Sequence, residues 1–400
     1  MLRPFYCAAH STGTSGSSRL LQARLEPRFL APANKRTPQH STGISATAGL
    51  IIRPQASRCR PEFSMEIDII LNEFASPHDA AELGLLAESY DLRGVWSSNY
   101  GGSRDAFFTL SLLADRSSKI RLGPMAISSA ELHPLKMANL LFSLNELSNG
   151  RAMIMVGGGG AVLQSIGMER DRMIRRTREC LEILKGASPD KMMNYTGEIY
   201  KAYGYQPKWH TDEAPLIYFG SNHPQSRKLS TKLADGLITS DFVVPLMKEC
   251  ITNIHAELKE AGRKPEDFRI SNFWAWHIKQ DAEASRAEAR RELMLRGWLR
   301  DKYFAPFLDE DELKVMRDHE QDFLNAFLRG SDVIENVPEN LVDKMIENIS
   351  FVGGLDQIDA AIDTLKQFAD AGLTEIALRV HDDPADAIRL IGERVAPALR

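Results

Sequence analysis

The stretch LGPMAISSAELHPLKMANLLFSLNELSNGRAMIMVGGGG, Leu122–Gly160, decides the fold class. It holds most of an apolar run typical of a strand (Ile120–Ile127), a predicted helix at Pro134–Ser148, and a second apolar run at Arg151–Val156 that ends in four glycines. A strand, a helix and a second strand in this order form a parallel βαβ unit. The stretch therefore predicts an α/β protein with a parallel sheet.

The same alternation continues along the chain from Met65 to the end. It predicts eight strands, each followed by a helix, at Glu66–Leu71, Gly94–Ser97, Ile120–Ile127, Arg151–Val156, Leu216–Phe219, Gly236–Ser240, Phe268–Ile278 and Glu375–Val380. Eight such units over about 336 residues are the count of a (β/α)8 TIM barrel. A doubly wound sheet is the alternative, but the chain has no convincing nucleotide fingerprint. Residues 281–349 are charged and helical, which predicts a helical insertion after strand seven.

The amino-terminal segment 1–64 differs from the rest of the chain. It carries eight Arg and one Lys against two Glu, about +7, so the remaining residues carry about −12 of the total of −5. Its composition predicts a disordered leader or transit-like extension, or an upstream extension of a chain that starts at Met65. We therefore predict a barrel domain at 65–400, in the cytoplasm, or in an organelle matrix if the extension is a transit peptide. The acidic body and the short apolar runs argue against nucleic acid and membrane partners.

In a barrel of this kind the active site lies at the carboxyl ends of the strands. The residues that follow the predicted strands are mostly neutral, polar or glycine, without a dense cluster of carboxylates or histidines. This composition argues against a metal site and against paired-carboxylate glycosidase chemistry.

Two loops remain as candidate binding sites. Gly157, Gly158, Gly159 and Gly160 form either a loop whose bare backbone lets a flat ring or phosphate approach, or a tight strand-to-helix turn. The loop Gly220–Pro224 precedes a helix, where Ser221, Ser226 and backbone N–H groups suit a phosphate or simply cap the helix. His133 starts another helix, and a lone histidine of this kind is more often structural than catalytic.

The residues of Leu122–Gly160 resemble the luciferase-like flavin-dependent oxidoreductases. The family marks are a helix begun by His-Pro, a Leu-Asp-x-Leu-Ser-x-Gly-Arg motif, here Leu144–Arg151, and a glycine-rich strand end. Pro215–Gly236 (PLIYFGSNHPQSRKLSTKLADG) looks like the strand and phosphate loop of the family, and Phe351–Gly354 like the start of its last helix. The resemblance covers most of 65–400 outside the insertion, and it implies a (β/α)8 barrel.

Within the family, Trp96–Ala114 is most similar to the methylene-tetrahydromethanopterin reductase branch, which uses a deazaflavin. The resemblance implies a non-proline cis peptide at Met125–Ala126 behind the flavin ring. Two departures concern the chemistry: the Asp-His pair that several deazaflavin enzymes carry is Asn99-Tyr100 here, and a Glu of the glucose-6-phosphate dehydrogenase members is Gly160. The usual proton donor and acid of those enzymes are thus absent.

The resemblance implies a flavin-dependent monooxygenase that uses reduced FMN and molecular oxygen on a small organic substrate. Two alternatives stay open: a reductase or dehydrogenase that uses the deazaflavin coenzyme F-420, and a barrel that has lost cofactor binding. The implied cofactor-binding residues are Asn99, Met125, Ala126, Gly157, Gly158, Gly159, Gly160, Gly220, Ser221 and Ser226, and the implied catalytic residues are Tyr100 and His133. The implied partners are a second copy of the chain, as a homodimer, and a separate flavin reductase.

Overall fold

The computed structural model describes residues 65–209 and 213–400, so the predicted leader at 1–64 lies outside the described residues. The strands of the described part are β1 (Glu66–Leu71), β2 (Gly94–Ser98), β3 (Arg121–Ser128), β4 (Met153–Gly157), β5 (Met193–Thr196), β6 (Lys201–Tyr205), β7 (Leu216–Gly220), β8 (Gly236–Ser240), β9 (Arg269–Trp276), β10 (Ser350–Phe351) and β11 (Glu375–Arg379).

Eight of these strands form a closed parallel barrel in the order β1-β2-β3-β4-β7-β8-β9-β11, in which β11 pairs with β1. The ring closes because β9 pairs with both β8 and β11. The predicted (β/α)8 barrel is confirmed, and the open doubly wound alternative is wrong. The short strand β10 extends the sheet beside the carboxyl end of β9, where Phe351 is in register with Trp276.

Helices surround the barrel. Their bounds are α1 (Pro77–Ser89), α2 (Ala106–Thr109), α3 (Ser111–Arg116), α4 (Pro134–Leu147), α5 (Gly160–Ser165), α6 (Met173–Gly186), α7 (Pro224–Leu233), α8 (Val244–Glu260), α9 (Ala282–Glu292), α10 (Asp301–Phe304), α11 (Glu310–Asp318), α12 (Glu320–Arg329), α13 (Glu339–Ile349), α14 (Ile358–Asp370) and α15 (Pro384–Leu390). The predicted helical insertion follows β9, the seventh strand of the barrel, and contains α9 to α13. Within the described residues, no helix has the length and apolar character needed to cross a bilayer.

Local structure differs from the sequence prediction at three places. The sequence Asp105–Ala114 (DAFFTLSLLA) predicts the start of one helix, but the structure has two short helices, α2 and α3, which meet at Leu110. The glycine run leads directly into α5, a helix that the pattern did not predict. The sequence Gly197–Trp209 (GEIYKAYGYQPKW) predicts a small hairpin, and the structure has one, formed by β5 and β6, that begins earlier in the chain.

The barrel interior is apolar at mid-height and charged at its amino-terminal end. Ile70, Trp96, Tyr218 and Ile238 belong to one buried cluster inside the ring. Below this cluster lie the carboxylates of Asp68 and Glu375, which are fully buried and bind the guanidinium of Arg93. In barrels of this class the amino-terminal face serves stability, whereas the carboxyl ends of the strands hold the active site.

Glu88, at the end of α1, fixes the turn that precedes β3. Its carboxylate accepts hydrogen bonds from the backbone N–H groups of Ser118, Lys119 and Ile120. Partial burial acts to raise the pKa of Glu88, but these three bonds outweigh burial and lower the pKa to about 2. A carboxyl whose pKa is depressed in the folded state stabilises the fold above its unfolded pKa, and this contribution is lost as the pH falls toward the folded pKa.

We therefore expect the Glu88 contribution to disappear between about pH 4.5 and about pH 2. Urea unfolding of wild type and Glu88→Gln at neutral pH and at about pH 3 measures it, because the difference in unfolding free energy between the two proteins should shrink as the pH falls. An equal difference at both pH values would contradict the assignment.

Candidate active site

The carboxyl ends of β4 and β7 have glycine where other strands carry side chains. A Cβ on Gly157 would lie 2.8 Å from the Cβ of Ala126, and a Cβ on Gly220 would lie 2.7 Å from the sulfur of Met155. Both glycines are therefore explained by close packing within the barrel wall. The lack of a side chain at Gly157 and Gly220 is therefore no evidence of a ligand site.

Gly158 and Gly160 have no such packing reason. A Cβ on Gly160 would meet no atom within 4 Å, and a Cβ on Gly158 would meet only the Arg170 guanidinium, at 3.4 Å. Gly159 and Gly160 also have positive φ angles of 85° and 39°, which favour glycine. The bare backbone at Gly158 and Gly160 thus borders open space, as a site for a flat ring or phosphate requires.

A cavity of about 580 Å³ lies against Gly158, whereas Gly157, Gly159 and Gly160 do not line it. Its wall includes Gly158, Gly220, Ser221 and Ser226, four of the residues predicted to bind a cofactor. Ser226 is buried in the first turn of α7, which begins at Pro224. The structure therefore brings the two predicted glycine loops together around one cavity.

Arg170 also lines this cavity, and sequence reasoning did not select it. It lies in the segment before α6, where the sequence ERDRMIRR has several charges and none is distinguished by pattern. Within the described part of the chain, Arg170 has no carboxylate partner. A guanidinium, a serine hydroxyl and a helix N-terminus form a donor set that suits a phosphate, so the residues present fit the phosphate of a flavin-type cofactor.

The Met125–Ala126 peptide bond is cis, as the resemblance implied. Asn99, at the end of β2, contacts this segment directly, because its side-chain Nδ2 donates to the carbonyl oxygen of Ala126 at 3.0 Å. The same Nδ2 donates to Oε1 of Glu131 at 2.7 Å. Three residues predicted to bind the cofactor, Asn99, Met125 and Ala126, therefore lie together at the ends of β2 and β3.

Glu131 is a second residue that the sequence did not single out. Burial raises the pKa of its carboxyl group, and the hydrogen bonds from Asn99 and from the backbone of Ser128 only partly offset this effect. Its other oxygen, Oε2, is buried and has no hydrogen-bond partner in the described structure. The only sequence signal is a lone acidic residue in the loop after strand three. Perturbed carboxyl groups of this kind are concentrated at functional sites.

The two predicted catalytic residues, Tyr100 and His133, are exposed to solvent. Tyr100 lies in the exposed loop after β2, where its backbone N–H bonds to the Ser103 hydroxyl. His133 is the exposed N-cap of α4, its Nδ1 accepts from the Leu135 N–H at 3.2 Å, and its ring packs edge-on against Tyr200. The contacts of His133 are those of a capping residue, and catalytic roles for both residues stay predictions.

Around the rest of the barrel mouth, several polar side chains pair with one another. Arg379, at the end of β11, binds Glu73 at 2.8 Å and the Ser98 hydroxyl at 2.5 Å. Asp241, after β8, binds the buried guanidinium of Arg296 from the insertion at 3.3 Å. The helical insertion thus contacts the carboxyl end of β8 through this pair.

The chain is similar to known proteins in sequence and in fold. The family model described as luciferase-like monooxygenase matches residues 57–375. A relative is the 5,10-methylenetetrahydromethanopterin reductase of Archaeoglobus fulgidus, 26% identical over 320 residues, which cover 79% of this chain and 94% of the relative.

Two solved structures share the fold. The coenzyme F-420-dependent tetrahydromethanopterin reductase of Methanopyrus kandleri superposes with a TM-score of 0.70 at 21% identity, covering 85% of this chain and all of that one. The oxygenating constituent of 3,6-diketocamphane monooxygenase from Pseudomonas putida, in complex with FMN, gives 0.58 at 18% identity, covering 84% of this chain and 99% of that one. With most of its barrel matched by the family model, this chain belongs to the luciferase-like monooxygenase family of oxidoreductases.

Proposed function

We propose that this chain is an oxidoreductase that binds a deazaflavin coenzyme and passes a hydride between that coenzyme and a small organic substrate. The observation that carries the proposal is the cavity bounded by Gly158, Gly220, Ser221, Ser226 and Arg170. Gly157, the residue before Gly158, packs against Ala126 of the cis peptide. The deazaflavin is preferred to FMN because the reductase of Methanopyrus kandleri uses coenzyme F-420 and resembles this chain more than the FMN-bound monooxygenase does.

The residues of the chain have separable tasks in this proposal. Arg170, Ser221 and Ser226 hold the coenzyme phosphate at the start of α7. Gly158 and Gly160 leave room for the ring, and Asn99 fixes the wall formed by Ala126. When bound, the deazaflavin supplies or accepts the hydride. The insertion, tied to the barrel by the Asp241–Arg296 pair, keeps water from the substrate side of the mouth.

Binding and oxygen measurements test the proposal. The full chain is titrated with deazaflavin and with FMN, each oxidised and reduced, while its Trp fluorescence and melting temperature are followed. We expect both readouts to respond to deazaflavin at lower concentrations than to FMN, without oxygen uptake. Tighter FMN binding with oxygen uptake would favour the monooxygenase that the sequence predicted. No response to either coenzyme would favour a barrel without cofactor.

Replacing Arg170 with alanine is expected to weaken deazaflavin binding about tenfold, because one charge-assisted hydrogen bond to phosphate contributes about 1.5 kcal/mol. Fluorescence titration measures the change in Kd. Arg175→Ala is the matched control, since Arg175 is a partly exposed arginine of α6 that pairs with Glu198 and does not line the cavity. Equal deazaflavin affinities of the two variants would show that Arg170 does not contribute to phosphate binding.

A further inference from the structure

A second cavity, of about 370 Å³, lies at the amino-terminal end of the barrel, at the other end from the candidate active site. Its wall is formed by the start of β1, the segment that leads into β3, and the segment 396–400. Four basic side chains line it, those of Arg93, Lys119, Arg121 and Arg400. A cavity with this lining suits an anion if the carboxylates of the chain do not already neutralise the cations.

Several charges in the wall are already bonded to other groups. Arg93 has the two buried carboxylates described above. Glu88 accepts from three backbone N–H groups in the turn before β3, and Glu66 binds Arg269 at 3.0 Å. None of these carboxylates forms an ion pair with Arg121 in the described structure.

Asp91 is the third carboxylate in the wall, and it holds its two cations loosely. The ammonium nitrogen of Lys119 lies 3.8 Å from Oδ1 of Asp91, and Nη1 of Arg400 lies 3.9 Å from Oδ2. Both distances are too long for a hydrogen bond. The side chains of Lys119 and Arg400 are also more than half exposed, so both cations can reach a ligand in the cavity.

Arg121, the first residue of β3, lines the cavity without a counterion. Within residues 65–209 and 213–400 its side chain forms no ion pair, and its Nη1 is buried without a hydrogen-bond acceptor. Burial and the charges of Arg93 and Arg269 lower the pKa of its guanidinium, and Tyr218 and Glu213 only partly offset this effect. A partly buried cation among other cations is poorly compensated by the chain itself.

We propose that this cavity binds a small oxyanion of the phosphate or sulfate type, held by Arg121 together with Lys119 and Arg400. A guanidinium can donate to two oxygens of such a group at once, and the two neighbouring cations add positive charge. The anion supplies the counterion that Arg121 lacks among the described residues. Because it joins the start of β3 to the segment 396–400, its binding stabilises the folded barrel.

Inorganic phosphate is the probe, and calorimetric titration at constant ionic strength measures its Kd. Phosphate also suits the Arg170 cavity, so the full chain carries Arg170→Ala in every titration. Adding Arg121→Met is expected to weaken phosphate binding at least tenfold, because it removes the central donor of the site. Arg116→Met is the matched control, since Arg116 is an exposed arginine of α3 that does not line the cavity.

Lys119→Met is a second variant for the same titration. The Lys119 side chain is 76% exposed, so its loss should leave the fold intact while weakening phosphate binding about threefold. The proposal is overturned if Arg121→Met and Arg116→Met bind phosphate equally well. It is also overturned if the Arg170→Ala parent binds no phosphate.

Melting temperatures give a readout that separates a ligand site from a structural role. In a buffer whose only anion is a bulky sulfonate, Arg121→Met should melt no lower than Arg116→Met, because methionine removes an uncompensated charge and keeps an apolar stem. Phosphate should then raise the melting temperature of Arg116→Met more than that of Arg121→Met. Equal rises, or a lower melting temperature of Arg121→Met in both buffers, would overturn the proposal. Failure of every coenzyme to bind would refute the proposed function and leave these comparisons unchanged.

Discussion

Replacing Asp68 with asparagine is expected to lower the free energy of unfolding by about 3–5 kcal/mol, the cost of breaking a buried ion pair on one side. The Asp68 carboxylate is fully buried and accepts from Nε of Arg93 at 2.8 Å and from the Trp96 indole at 2.8 Å. Asparagine keeps the volume but removes the charge. The guanidinium of Arg93 would then remain inside the barrel with part of its compensation lost.

The remaining carboxylate cannot replace the lost one. Glu375 already binds Arg93 at 2.9 Å and Arg269 at 2.6 Å, and it accepts from the Tyr218 hydroxyl at 3.0 Å. Glu375 would therefore be the one buried carboxylate of the described residues left for Arg93, whose side chain is only 8% exposed, and Glu375 already shares its charge with Arg269. Uncompensated buried charge is strongly destabilising.

Urea unfolding of Asp68→Asn and Glu66→Gln measures the difference. Glu66 is the matched control, because it lies on the same strand and binds Arg269 at 3.0 Å, but its side chain is 44% exposed. An exposed pair of this kind contributes less than about 1 kcal/mol. Equal losses for the two variants would mean that the charges at the base of the barrel do not stabilise it.

Gly123→Ala is expected to cost about 3 kcal/mol or more, because it adds a methyl group where two strand backbones meet. A Cβ at Gly123, on β3, would overlap the backbone carbonyl of Met153 on β4 and lie 2.9 Å from its Cγ. A flexible side chain can move aside, but a strand backbone in a closed barrel cannot move without shifting its neighbours. The substitution should therefore disturb the register of β3 against β4.

Gly102→Ala is the control for this prediction. A Cβ at Gly102 would meet no atom within 4 Å, and Gly102 does not have a positive φ angle. Melting temperatures of the two variants, with circular dichroism to detect loss of the barrel, measure the effect. A Gly123→Ala protein as stable as the Gly102→Ala protein would show that β3 and β4 can separate locally.

The sequence predicted most of the fold because each strand of the barrel is a short apolar run between amphipathic segments. Such runs indicate which segments are buried. Few topologies are compatible with eight of them in alternation with helices. The prediction missed α5 and joined α2 to α3 because these helices are only four to six residues long. A helix of that length is formed by its tertiary contacts, and its sequence carries little periodic signal.

The parts of the candidate site that are formed by the backbone could be predicted from the sequence. The glycine loops were predicted from residue type and from their place at strand ends, and the cis bond at Met125–Ala126 from a resemblance between motifs. The structure confirms the cis bond and gathers Gly158, Gly220, Ser221 and Ser226 around one cavity. Arg170 and Glu131 could not be selected in this way. Each is one charged residue among many, and it is distinguished only by which atoms the fold places around it.

The charge network of Asp68 and Glu375 lies at the amino-terminal end of the barrel, and the candidate site lies at the carboxyl ends of the strands. For a mutational library this separation has a practical meaning. Loop residues at the mouth, including those of the insertion, can be randomised in search of new substrates while the residues that close the ring are left untouched. Variants from such a library should fail more often by losing ligand recognition than by failing to fold.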